Sequence, residues 1–225
     1  MPTTSSGAGD WTSVVGSLTI SDDVIINHDV DLDGIVNMTG SLTINATKTL
    51  DTTGSNHNLT VSGVTNLNGT LTGNASAITL NDDFNVNTGS TFTTSGITTL
   101  GGGGTYAMVV SNGITSLQQT GTLVFNNTSR SDMFADGTKA QYNNVTVNAS
   151  FTHTQETHLG GDGTQSHIGG DLLLNGSWNT KVGSDSFNLR VDGDVTVNNG
   201  ATLTANASTV WFGSLTIASG GTYSA

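Results

Sequence analysis

The pentapeptide Gly-Ser-Leu-Thr-Ile occurs three times in this chain, at Gly16 to Ile20, Gly40 to Ile44 and Gly213 to Ile217. Looser copies fill much of the space between, among them Asn58-Leu-Thr-Val61, Ser76-Ala-Ile-Thr-Leu80, Asn144-Val-Thr-Val147 and Asp194-Val-Thr-Val197. Each is a turn residue followed by alternating apolar and β-branched positions, the pattern of a short strand with one buried face. A unit of this size cannot bury its apolar face alone. Repetition therefore implies that successive units stack on one another.

The apolar residues skip one position from Trp11 to Leu100: Leu18 and Ile20, Val24 and Ile26, Val30 and Leu32, Leu42 and Ile44, Leu59 and Val61, Ile78 and Leu80, Phe84 and Val86. Between them stand Asp33-Gly34, Asn68-Gly69 and Ser95-Gly96, which are turn signals. The first two exact copies begin 24 residues apart, room for three strands of about five residues with their turns. We therefore expect an all-β chain, a single-chain parallel β-solenoid with about three short strands per coil. The alternatives are a multi-strand β-sandwich or an intertwined trimeric β-helix. Sandwich strands usually differ from one another, whereas interchangeable strands imply a translationally repeated environment.

Composition agrees with this and narrows the function. Glu156 is the sole glutamate, and the cations are Lys48, Arg130, Lys139, Lys181 and Arg190. The solvent faces of ordinary helices need Glu and Lys, so little helix is expected. A net charge of −12 with five cations excludes nucleic acid as a partner, because phosphates require a basic patch. Cysteine is absent, so stability comes from ladders and packing. No signal peptide or apolar membrane-spanning run is expected in this chain.

Four segments are expected: a polar N-terminal stretch at 1–10, a regular solenoid over 11–100, an irregular insertion over 101–143, and solenoid again from 144 to 225. The insertion is suggested by Gly101-Gly-Gly-Gly104 and by Ser129 to Gly137, where the alternation is lost. Segments such as Gly193-Asp-Val-Thr-Val-Asn-Asn-Gly-Ala-Thr-Leu-Thr204 and Gly213-Ser-Leu-Thr-Ile-Ala-Ser-Gly-Gly-Thr222 resemble the repeats of right-handed parallel β-helix surface and virion proteins. Those are autotransporter passengers, haemagglutinin-like adhesins and phage tail fibres or spikes. The resemblance implies a structural repeat protein, extracellular or part of a virion, and the net charge makes it an acidic one. Its partners would be copies of itself, other subunits of an appendage, or a cell-surface glycan or receptor. A fragment of a secreted adhesin is the second reading, and a polysaccharide-degrading β-helix enzyme the third.

Candidate chemistry is sparse. Asp29, Asp31 and Asp33 alternate ahead of Gly34 as at the opening of a calcium loop, although Gly40 stands where the closing bidentate acid belongs. The competing interpretation is the exposed face of a strand. His153, His158 and His167 with Glu156 form the one histidine cluster, read as a surface loop; zinc would need three or four converging ligands. No catalytic residue and no bound cofactor other than calcium is expected. Hydrolases of polysaccharides need two carboxylates across a groove, and turn positions account for nearly all the Asp. Sequons at Asn37, Asn45, Asn58, Asn68, Asn74, Asn144, Asn148, Asn175 and Asn206 are what a turn Asn followed by a strand-starting Thr or Ser produces. Trp11, Trp178 and Trp211 are read as core and capping residues or as sugar-stacking platforms, Trp11 as the cap over the first coil. At the C-terminal end no charged residue follows Asp194, so Val210, Phe212, Leu215 and Ile217 are expected to present an apolar edge to another subunit or to further coils.

Overall fold

Strands mostly of two to five residues, with apolar side chains on one face, stack in parallel into three columns. The computed structural model describes residues 3–4, 9–11, 17–102, 106–111, 113–126, 130–132, 140–152, 166–182, 185–186 and 188–225. Among them there is no helix, and the architecture is a parallel β-solenoid. One hairpin pairing, Lys181–Val182 with Asp185–Ser186, is antiparallel.

The third column shows the register most plainly. Leu18, Val36, Leu59, Ile78, Thr98, Leu123, Val145, Leu172, Val195 and Leu215 lie one above another. So do Ile20, Met38, Val61, Leu80, Leu100, Phe125, Val147, Leu174, Val197 and Ile217. At about 4.8 Å per rung the stack is roughly 43 Å high. Turn length varies from 18 residues, Leu18 to Val36, to 27, Val145 to Leu172. Because the side-chain period of a strand is two, a slip of one residue would expose a whole apolar set, and the loops absorb the variation instead.

In the first column Val24, Leu42, Thr65, Phe84 and Met108 are stacked; in the second, Val30, Leu50, Leu71, Phe92 and Leu117. These side chains fill one continuous core. Phe84 and Phe92 meet edge to face at 5.3 Å, and Trp178 is wholly buried higher in the stack.

Within 101–143 the strands Tyr106–Val110, Ser116–Phe125 and Ala140–Val147 pair in these same columns. Consecutive apolar residues, Ala107-Met-Val-Val110, hide the alternation there. The loss of pattern in sequence is therefore no loss of pairing. Gly103 and Gly104, and positions 129 and 133–137 of the second irregular stretch, lie outside the described residues.

The corners carry polar ladders of their own. After the third-column strands, Asn148 Nδ2 donates to Asn126 Oδ1 at 2.7 Å, Asn175 to Asn148 at 2.7 Å and Asn198 to Asn175 at 2.6 Å. After the first-column strands, Asn45 donates to Asn27, Asn87 to Asn68 at 3.0 Å and Asn206 to Asn179 at 2.8 Å. Asn148 and Asn175 each give an N–H to one neighbour and offer the carbonyl to the next, so identical residues satisfy one another along the axis. In Asn45, Asn148, Asn175 and Asn206 the donating Nδ2 is the atom a glycan would occupy, so a sugar at these sequons would crowd the rung.

Where the second column bends into the third, glycines recur. A Cβ on Gly121 would lie 2.0 Å from the Gly96 carbonyl oxygen, and one on Gly96 would lie 2.0 Å from that of Ser76. Backbone from adjacent turns meets at this corner too closely for any side chain.

Candidate functional site

The same bend is concave outward, and a groove follows it along the axis. Its near wall is the outward row of the second column: Thr72, Thr93, Gln118 and Gln141 in register, then His167, Arg190 and Trp211. Its far wall is the corner row, from Asn74, Ser95 and Thr120 through Asn143 and Gly169 to Asp192 and Gly213. The groove comprises three adjoining hollows of about 230, 550 and 500 Å³. The first two share Thr120. The second and third are joined by the contact of His167 with Asp192.

Strand geometry puts these side chains where they are. Ile168, Leu189 and Val191 face the core and are buried, so His167, Arg190 and Asp192 point outward. His167 Nε2 and Asp192 Oδ2 are 2.8 Å apart, and Arg190 Nε donates to Asp192 Oδ1 at 2.7 Å. One carboxylate thus orients two side chains on adjacent turns. The hydrogen bond with His167, and then that from Arg190, hold the Asp192 carboxyl below its usual range, with partial desolvation opposing them. Trp211 follows Arg190 in the column and is 45% exposed.

The middle hollow has a different floor. Tyr142 is buried, its hydroxyl has no hydrogen-bond partner among the described residues, and loss of hydration raises its pKa far above the ordinary phenol value. Gln119, also buried, accepts from Thr98 Oγ1 at 3.2 Å and donates through Nε2 to the Gly96 carbonyl at 3.0 Å. Asn143 Nδ2 reaches the Thr120 carbonyl at 2.9 Å. The walls offer amide, hydroxyl, imidazole and guanidinium groups with one exposed indole. Among the described residues lining the groove, Asp192 is the sole carboxylate.

Asp29, Asp31 and Asp33 are all exposed and lie outward on and beside the strand Val30–Leu32. Asp29 Oδ1 accepts the backbone N–H of Thr49 on the next turn at 2.9 Å, and Asp31 stacks on Asp51. Among the described residues no three His, Cys, Asp or Glu side chains converge as metal ligands. His153, Glu156 and His158 lie outside the described residues, while His167 belongs to the groove. The Trp11 backbone pairs with Leu32 in the second column. Trp178 is core and Trp211 stands in the groove. On the last turn Val210, Phe212 and Leu215 are half-buried and Ile217 is 45% exposed.

Gln118, Gln141, Arg190 and Asp192 were not legible as a site, because more than a hundred residues separate the two ends of the groove. A signal does exist in the repeat. The central outward position of the second column reads Asp10, Asp31 and Asp51, then Thr72 and Thr93, and then changes to Gln118, Gln141, His167, Arg190 and Trp211. Small β-branched residues suffice to cover a sheet, so a run of long polar and aromatic ones marks a surface with another task.

No protein-family model, no curated protein and no solved structure matches this chain. Its class is set by the fold, a parallel β-solenoid.

Proposed function

We propose that this chain is a non-enzymatic structural element of an extracellular or virion appendage, a stiff rod that holds a recognition or assembly surface away from its base. The observation that carries this reading is the unbroken third column from Ser17–Ile20 to Ser214–Ile217, buttressed by asparagine ladders at its corners. A polar exterior rich in Thr, Asn and Asp keeps such a rod hydrated. A single carboxylate among the described groove residues supports binding over glycoside hydrolysis, which takes two. Self-association fits the last turn, where Val210, Phe212, Leu215 and Ile217 offer an apolar rung of the kind on which another strand layer stacks.

Antibody raised against the purified chain and applied to intact cells, cell lysate and released particles tests the assignment. Labelling of particles is expected, and labelling of intact cell surfaces instead would select the adhesin. Antigen found solely inside lysed cells would refute both. Light scattering on the 225-residue chain addresses assembly: association that Ile217→Lys abolishes is expected, and a parent that stays monomeric at high concentration would remove the last turn as an interface.

A further inference from the structure

We propose that the groove binds a linear, neutral oligosaccharide laid parallel to the solenoid axis. This goes beyond the rod reading, since a rod without such a site would still be a rod.

The shape selects a linear ligand. The hollows succeed one another over seven turns, from Thr72 to Trp211, roughly 29 Å at the strand spacing. The length of a pyranose residue along an extended chain is close to the spacing between turns, so neighbouring pyranoses would meet similar positions on neighbouring turns.

The chemistry selects a sugar. A pyranose presents an apolar C–H face together with hydroxyls that both donate and accept. At one end of the groove Trp211 exposes an indole face for the former. Beside it, Arg190 is held through Nε by Asp192, and among the described residues its two terminal nitrogens have no partner and can take hydroxyls in a fixed fork. The Gln141 amide, exposed on the turn before His167, supplies a donor and an acceptor. Asp192 offsets the charge of Arg190, and a chain carrying −12 repels polyanions, so a neutral sugar is favoured over an acidic one. A peptide strand fits less well. The backbone N–H and C=O groups of this face are already spent in the ladder, and edge pairing is available only at the ends of the stack.

The test is a titration of the 225-residue chain with cellotetraose, mannotetraose and N-acetylated chitotetraose, with tetragalacturonate as the acidic comparison. The indole N–H and amide resonances are followed by NMR. One of the neutral probes is expected to shift the Trp211 indole and the amides of Gln141, His167 and Arg190 together. Trp211→Ala should weaken that binding roughly tenfold, the loss of one good contact, and Gln141→Ala severalfold. Ile35→Ser, an exposed residue outside the groove, should leave it unchanged, and circular dichroism confirms that each variant is folded. The proposal is overturned if no neutral probe moves these resonances at millimolar concentration. Tetragalacturonate binding alone, or binding that survives Trp211→Ala and Arg190→Ala undiminished, overturns it equally. None of these readouts depends on where the protein resides, so failure here is distinguishable from failure of the appendage assignment.

Discussion

Replacing Gly121 by alanine should be among the most damaging single-methyl changes in this chain, and the reason is spatial rather than torsional. The new Cβ would sit 2.0 Å from the Gly96 oxygen and 2.3 Å from the Ser95 oxygen, both of them backbone atoms on the preceding turn. To reach 3.0 Å, the lower limit of real Cβ contacts, the two turns must part by about 1 Å. That same Gly96 oxygen accepts from Thr122 N at 3.1 Å and from Gln119 Nε2 at 3.0 Å. Parting the turns carries both bonds to about 4 Å, outside hydrogen-bonding range. Gln119 is buried, so its amide would lose a partner that water cannot replace. At ~1–3 kcal/mol for a buried polar group left unpaired, plus ~1 kcal/mol for the lost backbone bond, the cost is about 2–4 kcal/mol. Gly89 is the control. Its φ is +81°, but a Cβ there meets nothing within 4 Å, so Gly89→Ala should cost only ~1–2 kcal/mol, the penalty of a left-handed backbone for an L-residue. Urea unfolding followed by circular dichroism measures both. In a stack where each turn touches only its neighbours, a parted rung should also split the unfolding into two transitions. A Gly121→Ala protein within 1 kcal/mol of the parent, or a Gly89→Ala protein less stable than Gly121→Ala, would refute the account of this corner as a backbone contact.

Two other expectations follow. Asn175 donates to Asn148 and accepts from Asn198, so Asn175→Ala should lose about 1–2 kcal/mol in urea unfolding, two exposed hydrogen bonds at the lower end of their range. Asn175→Asp should do worse near neutrality than after acidification, because an ionised carboxylate meets the Asn148 oxygen with no proton to give. The folded-state value of Asp192 is depressed by His167 and Arg190, so its contribution is complete above the ordinary carboxylate pKa of about 3.9 and is lost as pH falls through the lowered value. Asp192→Asn should therefore be less stable than the parent near neutrality, and the gap should close on acid titration; a gap constant with pH would mean that the ion pairing contributes nothing.

The fold was legible because its cause is local and repeated. Leu42 and Ile44, or Leu59 and Val61, announce a buried face at spacing two, and so many interchangeable pairs imply units stacked in a repeated environment. Around Met108 the signal fades although the pairing does not, since Ala107 and Val109 are apolar as well and the alternation drowns. The groove was illegible for the opposite reason. Its parts are one residue per turn, and only the register that aligns His167, Arg190 and Trp211 makes them neighbours. Asp29, Asp31 and Asp33 were conspicuous in sequence because they are close along the chain, a property unrelated to convergence in space.

The ladders also give the molecule a direction in mechanics. Every interstrand hydrogen bond between turns points nearly along the axis, and the rungs are three to five residues wide at most places. Tension applied end to end would load one rung's few bonds at a time and peel the stack from its weakest join. A sideways load would instead be shared across all three columns and the interlocked core, and compression would only press turn onto turn. A molecule built this way resists being pushed and bent far better than being pulled.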